Sequence, residues 1–395
     1  MPPLSTNPAP TLTPLKRSKT AAAKGPAPIP TPPKRARTAA AKHPTPTPTP
    51  LETTAAKNPA PTAALLRDPN VRRHVQHEPI IRGGVADPQE LKTVKEYWST
   101  RRGDVVESFV PKGETSPPAK AGAPPPPPQR VDMLKNGAQA FIRQLIKIDY
   151  DLGHAGYCFA RITADTFVVD EHTGVPMIST SAFEDDVVPV TSAEKEAKVN
   201  ANLSDIADII EDDVIGTDNP MPEEVKDGLL DMMRNEGYKR RYVILNHSSL
   251  VPLENRLDLG LRMYQHLYDI IEKLKRKNRD WVVDRLVFPR KWHKKVRANS
   301  YLKKVYRKGN YSTYMEEGWK RIQGCEAHRF NRNTSEHALE NSVVNNQAMY
   351  TRPEVAIMLH AVFPLLLHSL MRELDRLGKI REIEVESLFR YHRDA

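Results

Sequence analysis

Apolar residues recur along this chain with two different periods, and the places where the period changes divide it into elements. From Asp132 to about Lys147, the residues Met133, Leu134, Ala138, Phe141, Ile142, Leu145 and Ile146 fall on one face at helical spacing. That spacing predicts a helix capped by Asp132. The period then shortens. Tyr157–Ile162 and Thr166–Asp170 are β-rich runs separated by three residues, and they predict a hairpin closed at its far end by His172, Thr173 and Gly174. Leu203, Ile206, Ile209, Ile210 and Val214 mark an amphipathic helix. Pro222 opens another, with Val225, Leu229, Met232 and Met233 inward and Gly237 ending it. Arg241–Leu245 reads as a strand. Leu257, Leu261, Tyr264, Leu267, Tyr268, Ile271 and Leu274 form the cleanest helical stripe of all. Trp281–Phe288 predicts another strand, and helices follow near 315–325, 335–349, 353–377 and 380–391. Earlier in the chain, Glu90–Trp98 predicts a short helix and Val105–Val110 a short strand or docking motif. The expected fold class is therefore α/β or α+β, helix-rich with a small sheet.

The longest apolar run, Val355–Met371, is interrupted by His360, Pro364 and His368 and is short for a bilayer span. It predicts a buried helix kinked at Pro364, and no membrane partner. The N-terminus lacks a hydrophobic signal core. The two cysteines, Cys158 and Cys325, do not make a disulfide framework or a cysteine-rich zinc module. A soluble intracellular protein is the expectation.

Composition changes the picture for the first third. Of the 35 prolines, 27 lie in residues 1–130, a stretch poor in large apolar residues. Such a stretch cannot bury a core, so residues 1–130 are expected to form a disordered tail and residues 131–395 the folded domain. An irregular repeat, beginning at Thr20, Thr38 and Thr54, pairs an Ala/Lys segment with alternating prolines and suits an extended polyproline II spacer. The run Pro124–Pro128 is either a spacer or a ligand for an SH3-like or WW-like protein partner. Residues 1–60 carry nine Lys/Arg against Glu52 alone, a net charge of +8. The clusters Lys16-Arg17 and Lys34-Arg35 with Arg37 read as nuclear import signals, which places the protein in the nucleus, or as phosphate-binding patches. In composition only, the tail resembles those of linker histones.

Charge is segregated in the rest of the chain as well. Residues 165–236 hold nineteen acids against four cations, a net of −15. Residues 273–308 hold fifteen cations against Asp280 and Asp284, a net of +13 that exceeds the +10 of the whole chain. Aromatic residues Trp292, Tyr301, Tyr306, Tyr311 and Tyr314, with His293, interleave with this basic segment. Cations neutralise phosphates and flat rings stack on unpaired bases, so the combination points to nucleic acid, DNA or RNA. The candidate contact residues are Arg290, Lys291, Trp292, Lys294, Lys295, Arg297, Lys303, Lys304, Arg307 and Lys308. Two other roles stay open for the segment: docking on the acidic region, or a solvated face whose aromatics belong to the core.

One constellation carries possible chemistry. Ile146–Ile148, Asp149, Asp151-Leu152-Gly153 and Gly156-Tyr157 resemble the first strand and turn of the RNase H-like, RuvC-type junction-resolving nucleases. That resemblance implies a strand-borne Asp and several carboxylates holding two Mg²⁺ ions against the scissile phosphate. The chain departs from the pattern at Asn246, where the family has a Glu. Glu336 and Glu340, four apart on one predicted helical face, are only a loose counterpart of its C-terminal acidic pair. Read without the resemblance, Ile146–Ile148 complete the preceding helix and the aspartates sit in a polar turn. Cys325, His328 and His337 offer three metal ligands with no evident fourth, and His154 and His172 suit ordinary surface positions. Walker-type, dinucleotide and GxSxG patterns are absent, which argues against an ATPase, a dehydrogenase or a serine hydrolase.

Three functions follow as expectations. The first is a nuclear, nucleic-acid-associated regulator of transcription or chromatin, with no cofactor and no metal. The second is an Mg-dependent nuclease or an inactive relative of one. The third is a nucleocapsid-type packaging protein.

Overall fold

The structure, a computed structural model, describes residues 67–75, 81–82, 85–86, 91–113, 128–163, 165–271, 276–309, 311, 320–344 and 350–389. The import clusters at Lys16, Arg17, Lys34, Arg35 and Arg37, and most of the proline run, lie outside the described residues.

The N-terminal part of the folded region runs α1 (Pro69–Arg72), β1 (Ile81–Arg82), β2 (Val85–Ala86), β3 (Leu91–Thr93), α2 (Val94–Ser99), β4 (Val106–Phe109) and β5 (Val131–Leu134). The long α3 (Asn136–Ala155), β6 (Tyr157–Phe159), β7 (Phe167–Asp170), β8 (Pro176–Ile178), α4 (Thr180–Asp185) and β9 (Val187–Pro189) follow. The remainder is helical: α5 (Ser192–Ile209), α6 (Asp231–Asn235), α7 (Gly237–Leu245), α8 (Arg256–Gln265), α9 (Arg276–Val283), α10 (Trp292–Ala298), α11 (Ser300–Lys308), α12 (Lys320–Val344), α13 (Arg352–Val362) and α14 (Leu366–Arg376). All named strand pairings are antiparallel: β3-β7-β8, β4-β5, β6-β9 and β1-β2. The fold is thus helix-rich α+β, and the α/β alternative is set aside.

Helix α3 is the spine. Ala138, Phe141, Ile142, Leu145, Ile146 and Leu152 are buried along it at helical spacing, and Gly156 ends it with a left-handed φ of +89°. That conformation suits glycine, and its N–H caps the carbonyls of Leu152 and Gly153. The predicted helix is therefore present but displaced. Val131–Leu134 is a strand, because Val106–Phe109 pairs with it residue by residue. The helix also runs on through Asp149 and Asp151 instead of stopping near Lys147.

The folded part begins earlier than Val131. Val71, Val94, Trp98 and Val105 are buried in the core, and Trp98 meets Phe141 edge-on at 5.2 Å. A capping box of Thr93 and Glu96 starts α2. A few large apolar residues packed on α3 were enough to order a stretch whose composition reads as tail.

Five further expectations are corrected. The strands at 157 and 167 do not pair with each other: β6 takes β9 and β7 takes β8, although the predicted turn through Gly174 does close the β7-β8 hairpin. Residues 241–245 are helical, with Tyr242, Val243, Ile244 and Leu245 all buried. A helix enclosed on all sides shows no stripe and reads like a buried strand. Residues 281–283 end helix α9, after which the chain is irregular to Pro289. Helix α12 is one element where two were expected. Thr334 and Ser335 are buried at its middle and return their hydroxyls to the carbonyls of Phe330 and Asn331, at 2.8 and 3.0 Å. The kink expected at Pro364 is a break, with α13 and α14 bent by 81°. Among the described residues, no single helix is long and apolar enough to cross a membrane.

Candidate nucleic-acid interface

The basic segment folds into a helical corner. Helix α10 ends at Ala298, Asn299 is extended (φ −102°, ψ 126°), and α11 begins at Ser300. The Asn299 side-chain oxygen accepts from the N–H groups of Tyr301 and Leu302, both at 3.1 Å, and so caps α11. Its amide donates to the Lys112 carbonyl at 2.7 Å, and the Ser300 N–H donates to the Gly113 carbonyl at 2.7 Å. The corner is latched to residues 112–113.

Each helix has two chemically distinct sides. Inward are Trp292 and Val296 of α10, and Tyr301, Leu302, Val305 and Tyr306 of α11. Outward are Arg290, Lys291, Lys294, Lys295, Arg297, Lys304, Arg307 and Lys308, all exposed, with Lys303 half-buried. Lys304, Arg307 and Lys308 share one face of α11 by their spacing. Among the described residues, none of these cations pairs with a carboxylate. Among the described residues the docking alternative finds no ion pair: the paired acids of 165–236 use cations from outside 290–308, such as Arg234 with Asp208 and Glu211, and Lys239 with Glu196. Arg307 and Lys308 lie in the last turn of α11, where cations complement the helix dipole.

The aromatics behave differently from the expectation that they stack on bases. Trp292 packs 5.5 Å from Phe330 and 5.4 Å from Phe363, and Tyr306 stacks on Tyr311 at 5.2 Å. Burial pushes the Tyr301 and Tyr311 hydroxyls up to about 12. Trp292 therefore leaves the set of contact residues. The rings anchor the corner, and Arg297 covers the Tyr306 ring at 5.2 Å. Tyr314 lies outside the described residues.

The carboxylates of the nuclease resemblance do not converge. Asp149 and Asp151 lie two apart on α3, hence on nearly opposite sides. Asp149 is 2 % exposed and accepts from the Asn202 amide at 3.1 Å. Burial raises its carboxyl to about 6, against the opposing pull of Asn202 and Arg241. Asp151 accepts from Nε2 of His74 at 2.7 Å and from Lys147 at 2.9 Å, with Arg73 at 3.3 Å. Burial raises its carboxyl, but His74 and Lys147 outweigh that and hold it below the ordinary value. Glu336 pairs with Arg332 at 2.7 Å on α12, and the Glu340 side chain lies outside the described residues. Asn246 receives Arg143 at 3.1 Å. The strand that the resemblance needs at Ile146–Ile148 is helix. Cys325, His328 and His337 are also apart in role. His328 lies against Tyr264, and His337 stacks on Tyr301. Among the described residues, no group of three His, Cys, Asp or Glu is placed to hold a metal.

The sequence reading missed a buried ionic network. Glu224 is 2 % exposed, receives Arg256 at 2.8 Å and accepts from the Ser248 hydroxyl at 2.5 Å. Arg256 also donates to the Ser248 carbonyl at 2.9 Å and to Nδ1 of His360 at 3.3 Å. Beside it, Nε2 of His247 meets Nδ1 of His368 at 2.7 Å. Burial raises the Glu224 carboxyl, but Arg256 and the neighbouring histidines outweigh that and keep it ionised. Burial depresses His247 to about 3, and His360 and His368 to about 4. The trace in the sequence was the pair of histidines inside the apolar run Val355–Met371, a polar intrusion that a buried helix tolerates only with partners.

No protein-family model matches the chain, and no curated protein matches it.

Proposed function

We propose that this is a nuclear, nucleic-acid-associated protein, a regulator of transcription or chromatin, that grips phosphate through the α10–α11 corner. The observation that supports the reading is the row of eight exposed cations, unpaired among the described residues, on helices whose other side is locked into the core. Holding these cations in one row costs mutual repulsion, which a polyanion relieves. Because the rings are buried, the contact is to the phosphate backbone and carries little base identity. The nuclear assignment rests on the clusters at Lys16-Arg17 and Lys34-Arg35-Arg37 and on nothing in the folded part. The nuclease alternative is not carried forward, because its two aspartates diverge on one helix.

A salt titration tests the reading. If all eight cations reach phosphates, log affinity falls against log salt with a slope of about −7. The variant K291Q/K294Q/K295Q/R297Q should bring the slope to about −3.6 for duplex DNA. An unchanged slope in that variant would remove α10 from the interface, and a flat curve for the wild type would end the proposal.

A further inference from the structure

A polar cleft of about 180 Å³ opens beside the corner. One wall is the chain entering β5, with Arg130 and Asp132. Another is Met221 and Glu223, and the third is the end of α13 with His360 and Pro364. Lys295 of α10 closes the rim. The Ala361 carbonyl accepts from Gln129 at 3.3 Å and from Lys295 at 3.4 Å, which ties two of these walls together.

His360 is the informative residue. Its side chain is 8 % exposed, and the residue lines both this cleft and a neighbouring pocket that holds Arg256 and Phe363. Nδ1 lies 3.3 Å from Arg256 and 3.8 Å from Glu224. The second distance is too long for a hydrogen bond, and an arginine only donates. Nδ1 is therefore the acceptor, and the ring hydrogen sits on Nε2. Among the described residues Nε2 has no partner. Burial keeps the ring neutral across the physiological range, so it remains a single donor. Arg130 is exposed and makes no ion pair among the described residues. Three residues that can donate, Arg130, Lys295 and His360, thus line a space that is also lined by two carboxylates, Glu223 and Asp132. Glu223 is exposed, and Asp132 accepts from Ser108 while keeping further acceptor capacity. Val131, Met221 and Pro364 supply apolar surface.

We propose that this cleft binds a phosphomonoester carried on a hydroxyl-bearing sugar. The phosphate takes Arg130, Lys295 and the His360 Nε2–H, and the sugar hydroxyls donate to Glu223 and Asp132. A simple anion would leave the two carboxylates facing it unfavourably, whereas a sugar phosphate uses both signs. The volume is below the roughly 300–1,000 Å³ of sites for drug-sized ligands and suits a sugar phosphate. A free sugar phosphate and the phosphorylated end of a strand share this chemistry. The site is separate from the phosphate-gripping row, with which it shares only Lys295.

Calorimetry on the full chain tests it, with ribose 5-phosphate, inorganic phosphate and ribose as probes. Ribose 5-phosphate should bind one to one, at least tenfold tighter than either other probe. Arg130→Gln should weaken it at least tenfold, and K304Q/R307Q/K308Q should leave it unchanged. Duplex affinity should respond in the opposite order, so failure of the cleft and failure of the row are distinguishable. Hairpins with 5′-phosphate and 5′-hydroxyl ends separate the sources. A preference for the phosphorylated end that Arg130→Gln abolishes supports the strand end, and equal binding of both hairpins supports the free sugar phosphate. No saturable binding, binding indifferent to Arg130→Gln, or equal binding of inorganic phosphate overturns the proposal.

Discussion

Asp149 offers a stability experiment whose sign changes with pH. Its carboxyl is buried with one amide donor, and burial raises it from 3.8 to about 6. The protonated form is thus favoured by folding. At pH below 3.8 folded and unfolded chains both hold the proton, and Asp149 costs nothing. As pH rises through 6 the folded chain must ionise a carboxyl that the unfolded chain has already ionised, and stability falls. A displacement of that size is worth about 3 kcal/mol, of which about 2 to 3 kcal/mol develops between pH 4 and 7.5. Asp149→Asn replaces the carboxyl with a neutral group that still accepts from Asn202. Its own amide hydrogens lack a partner, which costs about 1 kcal/mol at every pH. The test is urea unfolding of both proteins from pH 4 to 8. The variant should gain about 2 to 3 kcal/mol on the wild type between the two ends of that range. A difference independent of pH would refute the reasoning, and would mean that Arg241 already holds Asp149 as a comfortable anion.

Other predictions follow from the same structure. Trp292→Ala should cost about 3–5 kcal/mol in urea unfolding, because it empties the ring cluster around Phe330 and Phe363, whereas Lys304→Gln should stay within about 0.5 kcal/mol. Glu224→Gln leaves Arg256 buried without its counter-charge and should cost about 3–5 kcal/mol by the same measurement. The folded chain holds His247, His360 and His368 below their ordinary 6.5, so their contribution is full above that pH and is lost as pH falls towards 4. Tryptophan fluorescence should therefore report a urea midpoint that drops between pH 6.5 and 4, and a midpoint that rises over that interval would contradict the network.

The sequence disclosed most clearly what is decided locally. Helix α3, α8, the Gly174 turn and the break at Pro364 all follow from spacing or from a residue with few backbone choices. Pairing is not local: adjacency in sequence suggests β6 with β7, whereas their partners are β9 and β8. Residues 241–245 look like a strand in the sequence because burial on all sides erases the helical period. The candidate interface was half legible: the cations are where charge counting placed them, but Trp292 and Tyr306 face the core, and a list of residue types carries no direction. The Glu224–Arg256–His360 network was not legible, since its members come from three elements that the chain order keeps far apart.

The two-sided build of α10 and α11 has a consequence for how such a chain varies over time. The rings answer strongly to folding and the outer cations only weakly, so drift at the eight outer positions is felt little by stability. Whatever keeps those positions positive acts from outside the molecule. In any set of descendants of this chain, the rings would persist in every lineage that folds. The charges would persist only in lineages that still have something to hold.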